Sequence, residues 1–560
     1  MPDPGRDPSA SWWRSAVVYE VYLRSFADSN GDGEGDIAGL RRRLPYLADL
    51  GVDAVWITPW YPSPMADGGY DVSDYCDVDP RFGTLADVDS LISDAHESGL
   101  RVITDLVANH TSDRHPWFVG ALAAGPGSHE RDRYFFRDGQ AGGAEPPNDW
   151  ISAFGGPAWT RVQEPDGAPG QWYLHLFSPQ QPDLNWEDDA VQADFDGILR
   201  FWLDRGVDGF RVDAAPAMAK VPGLPDAGHR TGAQFESRTW VDNPHWDVEE
   251  VHDILRRWRR IGDAYDGDRV FVTEAVVSSP ERLSRYVRPD EMHLSFNFDF
   301  LTSPWEPRHL RKVIESTLAA LEPLGAPATW VLSSHDEARH VTRFGRADTR
   351  AAFGGAAVPA SPSDRELGLR RARAAVMLTL ALPGAAFLYQ GEELGLPEVE
   401  DLPDDVLQDP TWERSGRTVR GRDGCRVPLP WEGETPPFGF SHDGVAPWLP
   451  QPPEWSALTV AAQRTDPAST WSLYRSALQL RRQLPSLHDA AFSWIDAGDD
   501  VLAFQRGPSF RCVVNFSGRT LPLAVHGRVL LASTPCVDHL PPDAAAWLDD
   551  RSPAPTVARR

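Results

Sequence analysis

No stretch of this chain approaches the roughly 20 consecutive apolar residues that a membrane-spanning helix needs. Its first residues, Met1 to Ser11, are rich in Pro and Asp and lack the apolar core of a secretion signal. A soluble, cytoplasmic protein with no membrane partner is therefore expected. Cysteine is scarce: Cys76, Cys425, Cys512 and Cys536 show no Cys-x-x-Cys spacing, which points to neither a zinc site nor a disulfide framework. Cys512 and Cys536 share the C-terminal region and leave room for one pairing, although reduced thiols are the expectation. Basic residues are outnumbered, 54 against 82 acidic ones, and a formal net charge of −28 repels nucleic acid and anionic surfaces. A Gly-x-Ser-x-Gly elbow is missing too. The adjacent Ser334, His335 and Asp336 alternate in direction along an extended chain, so they do not converge as nucleophile, base and orienting acid, and serine hydrolase chemistry is disfavoured. No internal repeat is seen.

What the chain has in quantity is 22 Trp and 24 Phe, together with 50 Pro and 46 Gly, a loop-rich globular composition with aromatic rings to spare for stacking on sugars. At 560 residues it exceeds what one core supports, and two or three domains are expected. Short apolar runs alternate with helical periodicity. Val17–Tyr22, Ala54–Ile57, Arg101–Leu106, Val207–Ala214, Val270–Glu274, His293–Phe298, Ala328–Leu332 and Ala385–Tyr389 read as strands. Ile37–Leu50, Ala190–Arg205, Val251–Tyr265, Leu367–Leu382 and Trp471–Leu484 read as helices. The alternation predicts an α/β fold, a (β/α)8 TIM barrel over residues 11–105 and 185–485. Residues 106–184, too long for a plain connection after the third strand, are expected to form an inserted subdomain. Short strands with turn signals over residues 486–560 suggest a C-terminal antiparallel β domain.

Polar residues collect where the strands end, which in such a barrel is where chemistry sits. Asp213 closes the fourth apolar run, with Arg211 two residues earlier on the same face; Glu274 closes the fifth, and Asp336 follows the seventh. One Arg–Asp pair alone would be a buried ion pair. Three acids at three strand ends, gathered by barrel closure, suit a different task. Two carboxyl groups about 5–5.5 Å apart serve a retaining glycoside hydrolase as nucleophile and proton donor. A third carboxylate beside them raises the donor's pKa and steadies positive charge on the sugar, while Arg211 keeps Asp213 ionised.

Near the start, Asp28, Asn30, Asp32 and Asp36 share one short loop with Gly31, Gly33 and Gly35 among them, the spacing with which a calcium loop begins. Gly39 stands at the twelfth position instead of Glu, so this is no EF-hand. Either a short oxygen cage for one structural Ca2+ or Mg2+, or an acidic Gly-rich turn, accounts for the pattern.

These residues resemble the retaining α-amylase superfamily of glycoside hydrolases. Asp105 to His110, Gly209 to Asp213, Glu274 after its apolar strand, and His335-Asp336 are similar to its four signature regions, in order, and the likeness extends from about Ser11 to the C-terminus. Gln181-Pro182-Asp183-Leu184-Asn185-Trp186 and the Asp28 to Asp36 loop resemble the α-glucosidase and oligo-1,6-glucosidase branch. The resemblance implies Asp213 as nucleophile, Glu274 as acid/base and Asp336 as transition-state stabiliser. It implies that His110, Arg211 and His335 contact the first glucose, that Asp71 and Arg422 hold its non-reducing end, and that Tyr70 and Phe177 are aromatic walls. Two positions depart from the family's pattern. Ser334 stands where Asn is usual, and Ala214 follows the nucleophile where Val accompanies α-1,6 preference and Thr α-1,4. The implied activity is exo-acting hydrolysis of maltose-like α-glucosides by a monomer or homodimer, α-1,4 favoured and other linkages tolerated. The alternative is a transglycosylase or a trehalose- or sucrose-converting isomerase, which shares the acids and differs in excluding water. A non-catalytic sugar-binding relative would have lost carboxylates that are present here.

Overall fold

The apolar runs become strands because almost every residue in them is buried. In the computed structural model, which describes residues 11–164, 167–228, 243–350, 361–488, 490–523, 527–536 and 538–549, the first three strands are β1 (Val17–Val21), β2 (Ala54–Ile57) and β3 (Arg101–Val107). The chain then leaves the barrel for a small sheet of β4 (Phe136–Arg137), β5 (Trp159–Gln163) and β6 (Pro169–Leu174), with β6 central. It returns as β7 (Gly209–Asp213), β8 (Val270–Thr273), β9 (Leu294–Ser295), β10 (Thr329–Val331) and β11 (Ala385–Tyr389). The eight barrel strands pair in parallel in the order β10-β11-β1-β2-β3-β7-β8-β9. Buried two-sided parallel strands with helical crossovers are the barrel pattern.

The sixth barrel strand is shorter than its apolar run suggests. His293 turns its ring back, and Nδ1 accepts the Phe271 N–H, while Asn297 caps the short helix Phe298–Leu301 through the Phe300 N–H. Only Leu294 and Ser295 remain to pair with β8. The first crossover helix, Ile37–Leu50, is capped by Asp36, which accepts the Gly39 N–H at 2.6 Å, and ends at Gly51 with φ 102°. That left-handed C-terminal position suits glycine.

The C-terminal domain follows as β12 (Phe492–Ile495), β13 (Val501–Arg506), β14 (Phe510–Asn515), β15 (Leu521–Pro522), β16 (Arg528–Ala532), β17 (His539–Leu540) and β18 (Ala544–Asp549). Five of these form the antiparallel sheet β12-β13-β14-β18-β16, and residues 550–560 of the expected domain lie outside the described residues. The sheet is fastened to helix Arg365–Ala381 by the Trp547 indole N–H on the Met377 carbonyl and by Arg371 on Asp543, the residue before β18. All four cysteines are free. Cys512 and Cys536 do not pair, because Cys512 faces the large core beside Phe504 and Trp547 while Cys536 packs against the opposite face of the sheet. Among the described residues no helix is long and apolar enough to cross a membrane.

Candidate active site

Period-two alternation along β7 sends Phe210 and Val212 outward and Arg211 and Asp213 into the barrel mouth. The strand can lie close to β8 because it begins at Gly209, where a Cβ would meet the Val270 carbonyl oxygen at 2.0 Å. Arg211 is fully buried and holds three acids with one guanidinium. Its Nη1 lies 2.5 Å from Asp213 Oδ1 and 3.0 Å from Asp105 Oδ1, and its Nη2 lies 2.6 Å from Glu274 Oε2. Glu274 follows β8 and also accepts the Ala214 backbone N–H at 3.0 Å. Ala214 sits in the left-handed region, φ 41°, which ends the strand immediately after Asp213.

Asp336 is held from the other side. Its Oδ1 accepts from Arg422 Nη1 at 2.8 Å and Arg426 Nη2 at 3.0 Å, and His335 Nε2 stands 3.2 Å from Oδ2. Arg422 in turn spans Asp409 at 2.5 Å and Asp67 at 2.6 Å. Asp213, Glu274, Asp336, Arg211, His110, His335, Tyr70, Phe177, Ala214, Ser334, Asp67 and Arg422 all line one cleft of about 1310 Å³ including its mouth. Tyr70 stacks on His335 with ring centroids 5.2 Å apart, and Phe177 stands 5.1 Å from His110. His110 Nε2 lies 3.1 Å from the Tyr70 carbonyl oxygen and 3.0 Å from Gln181 Nε2, and its Nδ1 lies 3.1 Å from Asn109 Nδ2. Ala214, Leu176, Trp246 and Val276 share an apolar cluster that joins the inserted subdomain to the loops after β7 and β8.

The electrostatics divide the acids. Burial pushes Glu274 up to about 8, with Asp213 adding to the rise and Arg211 opposing it. Burial also raises Asp213, to about 7, against the pull of Arg211. Three carboxyl groups on one guanidinium leave a proton in the group, and Glu274 is the acid that keeps it longest. Asp336 goes the other way: despite burial, His335, Arg422 and Arg426 hold it below the usual carboxylate range. One protonated carboxyl and one carboxylate across a shared cleft are the parts of two-carboxylate glycosidic chemistry.

One expected site residue lies elsewhere. Asp71 is fully buried beneath the cleft and accepts from Ser63 Oγ at 2.9 Å and from the Ala66 and Asp67 backbone N–H groups at 3.0 Å each. Asp67 is the acid that reaches Arg422. The turn at Gly68 and Gly69, with φ 59° and 106°, reverses the chain between the two acids, so Asp67 faces the cleft and Asp71 braces it from below. Sequence reasoning also missed Asp105, Asp409, Arg426 and Glu20. Asp105 lay in plain view inside a quoted motif, whereas Asp409 and Arg426 carried no spacing signal.

In the Asp28 to Asp36 loop the side chains fold back on the backbone. Asp28 accepts from the N–H groups of Asn30, Gly31 and Gly33, Asn30 from Asp32, Asp32 from Glu34, and Asp36 from Ser29 and Gly39. These side-chain turns shape the loop. Among the described residues no three His, Cys, Asp or Glu side chains gather as a metal site, so the loop presents its donor set without a preformed cage.

Residues 20–490 match the family model for the α-amylase catalytic domain. The chain is 38% identical over 550 residues to a probable α-glucosidase of Rhizobium meliloti, covering 93% of this chain and 94% of that one. It is 35% identical over 505 residues to an oligo-1,6-glucosidase of Parageobacillus thermoglucosidasius, covering 84% of each. Among solved structures, an α-glucosyl transfer enzyme superimposes with a TM-score of 0.82 at 36% identity, over 97% of this chain and 100% of that one. The trehalulose synthase of Pseudomonas mesoacidophila does so with a TM-score of 0.83 at 31% identity, over the same shares. The chain thus belongs to the α-amylase family of glycoside hydrolases, in the branch of the α-glucosidases and oligo-1,6-glucosidases.

Proposed function

We propose that the protein is an exo-acting, retaining α-glucosidase that removes terminal α-linked glucose from short, maltose-like glucosides. The reading rests on one observation above all: a single guanidinium bridges Asp213 and Glu274. Two carboxyl groups held one arginine fork apart suit the spacing of about 5–5.5 Å that a retaining mechanism needs. Asp213 attacks the anomeric carbon as the bond to the leaving oxygen breaks, and Glu274 gives that oxygen its proton. Water then attacks the glucosyl ester, giving its proton back to Glu274 and freeing Asp213. Asp336, anionic between Arg422 and Arg426, faces the positive charge that develops on the ring. The buried Arg422–Asp67 pair supplies charged hydrogen-bonding groups for a terminal glucose, which favours release of one sugar at a time. Four free thiols fit a reducing, cytoplasmic compartment. Chromatography of products from maltose, isomaltose, sucrose and trehalose tests the assignment. Glucose is expected as the first product, fastest from maltose, and an Asp213→Asn variant with wild-type turnover would overturn it.

A second reading, glucosyl transfer to another sugar, is favoured by the apolar wall that Ala214, Leu176, Trp246 and Val276 give the cleft, which offers water few partners. Transfer products that overtake free glucose at high maltose concentration would select it. For the Asp28 to Asp36 loop we propose one hard cation, Ca2+ or Mg2+, held by oxygens of Asp28, Asn30, Asp32 and Asp36. Three carboxylates and an amide within nine residues are a donor set suited to such an ion, whose role is stability and not chemistry.

A further inference from the structure

Glu20 is a buried acid to which the mechanism gives no task. It stands on β1, lines the cleft and is 1% exposed. Its Oε1 lies 2.5 Å from His335 Nδ1 and 3.2 Å from the His335 backbone nitrogen, which donates to it. Asp105, Asp213 and Glu274 share Arg211, and Asp67, Asp336 and Asp409 share Arg422. Among the described residues Glu20 forms an ion-pair contact with His335 alone.

The imidazole is fixed in place before any hydrogen is considered. Tyr70 stacks on one side at 5.2 Å and Tyr22 at 5.7 Å, with interplanar angles of 7° and 22°. The ring's remaining freedom is where its hydrogen sits. Nε2 faces Asp336 Oδ2 at 3.2 Å, off the line of a full hydrogen bond. Because Asp336 is anionic between two guanidinium groups, a lone pair on Nε2 would face negative charge, so Nε2 carries a hydrogen. Nδ1 then meets a carboxyl oxygen at 2.5 Å, and a hydrogen must lie between them. Whether that hydrogen rests on Glu20 or on Nδ1, the one on Nε2 stays.

We propose that Glu20 is a positioning residue: sharing one hydrogen with Nδ1, it holds His335 in the form whose Nε2–H is offered to Asp336 and to a sugar hydroxyl in the cleft. The groups facing Glu20 are His335, Asp336, Arg211, Asp105 and Tyr389. Burial raises Glu20 well above an ordinary carboxyl, Asp336 and Asp105 adding and Arg211 opposing, and burial lowers His335. Both directions agree with a hydrogen kept on the Glu20 side. The inference rests on the cleft being the sugar site, yet the ring's hydrogen can be read with no substrate present, so the two can fail separately.

The test uses the full chain labelled with 15N-histidine, the His335 signals being those that vanish in His335→Asn. At neutral pH the wild type is expected to show Nε2 bearing hydrogen. In Glu20→Leu the hydrogen is expected to move wholly or partly to Nδ1, and kcat/KM for maltose to fall about 10- to 100-fold, the worth of a hydrogen bond to a charged group. In Glu20→Gln an amide nitrogen facing Nδ1 keeps the Nε2 hydrogen but leaves the His335 backbone N–H without its acceptor, so an intermediate rate is expected, in step with the share of Nε2 that bears hydrogen. A bare Nε2 in the wild type overturns the proposal. So does a Glu20→Leu variant whose ring nitrogens are unchanged, with or without a loss of rate, since Glu20 would then be packing only. Should Glu20→Leu not fold, Glu20→Gln decides with the wild type: activity lost with the ring hydrogen still on Nε2, or wild-type activity with that hydrogen moved to Nδ1, contradicts the proposal.

Discussion

Replacing Asp67 by Asn removes the charge at the closed end of the cleft while keeping the side chain's shape. Asp67 Oδ1 accepts from Arg422 at 2.6 Å and Oδ2 from Gln181 Nε2 at 3.0 Å. Arg422 retains Asp336 and Asp409, so no buried charge is stranded, and the several kcal/mol that follow from an orphaned ion do not apply. What is lost is one charge-assisted hydrogen bond at the terminal glucose, about 1.5–3 kcal/mol, or roughly 10- to 150-fold in kcat/KM. The expected result for maltose is a loss in that range with a melting temperature close to wild type. Asp71→Asn should show the reverse emphasis. Its oxygens accept from Ser63, Ala66 and Asp67, and an amide nitrogen facing one of those N–H groups destabilises the loop, so the melting temperature should drop. Steady-state kinetics beside thermal melts separate the two. An Asp67→Asn enzyme with unchanged kcat/KM, beside an Asp71→Asn enzyme that loses activity without melting earlier, would refute the assignment of the clamp to Asp67.

Three further outcomes are expected. Activity needs Asp213 ionised and Glu274 protonated; since both are raised by burial, to about 7 and about 8, kcat/KM should rise as pH passes the first and fall as it passes the second, and an optimum well into the acid range contradicts this. Ala214→Val adds bulk beside the acids and should shift kcat/KM toward isomaltose relative to maltose by at most about 10- to 200-fold, and it should also melt earlier, because a β-branched residue is strained at φ 41°; an unmoved ratio ends the argument. EDTA should lower the melting temperature of the wild type and do less to Asp32→Ala, and coincident curves in all four samples would leave the acidic turn without an ion.

The barrel was legible because its strands are buried on both faces and read as continuous apolar runs, and because the residues interrupting those runs are acids and an arginine at strand ends. β9 was overestimated, since the His293 ring accepts from the β8 backbone and Asn297 from the helix that follows it, neither of which hydrophobicity reveals. The clamp was misassigned to Asp71 because two acids flank the same Gly-Gly turn, and only the backbone angles at Gly68 and Gly69 decide which one faces the cleft. Glu20 was invisible for a different reason: a lone acid in a short strand means little until barrel closure brings His335 to it across 315 residues of chain. In the Asp28 to Asp36 loop the oxygen spacing was read for a cation, whereas the helix beginning at Ile37 also marked Asp36 as its cap.

Asp213 as nucleophile and Glu274 as proton donor act from opposite sides of the anomeric carbon of a terminal glucose, and the anomeric form of the first product tests that assignment most directly. Proton NMR of a fresh digest of an aryl α-glucoside, whose only glucose is the one released at the site, recorded before mutarotation, is expected to show glucose in the α form. Glucose appearing first as the β anomer would mean that water attacks the sugar directly, and would contradict the account.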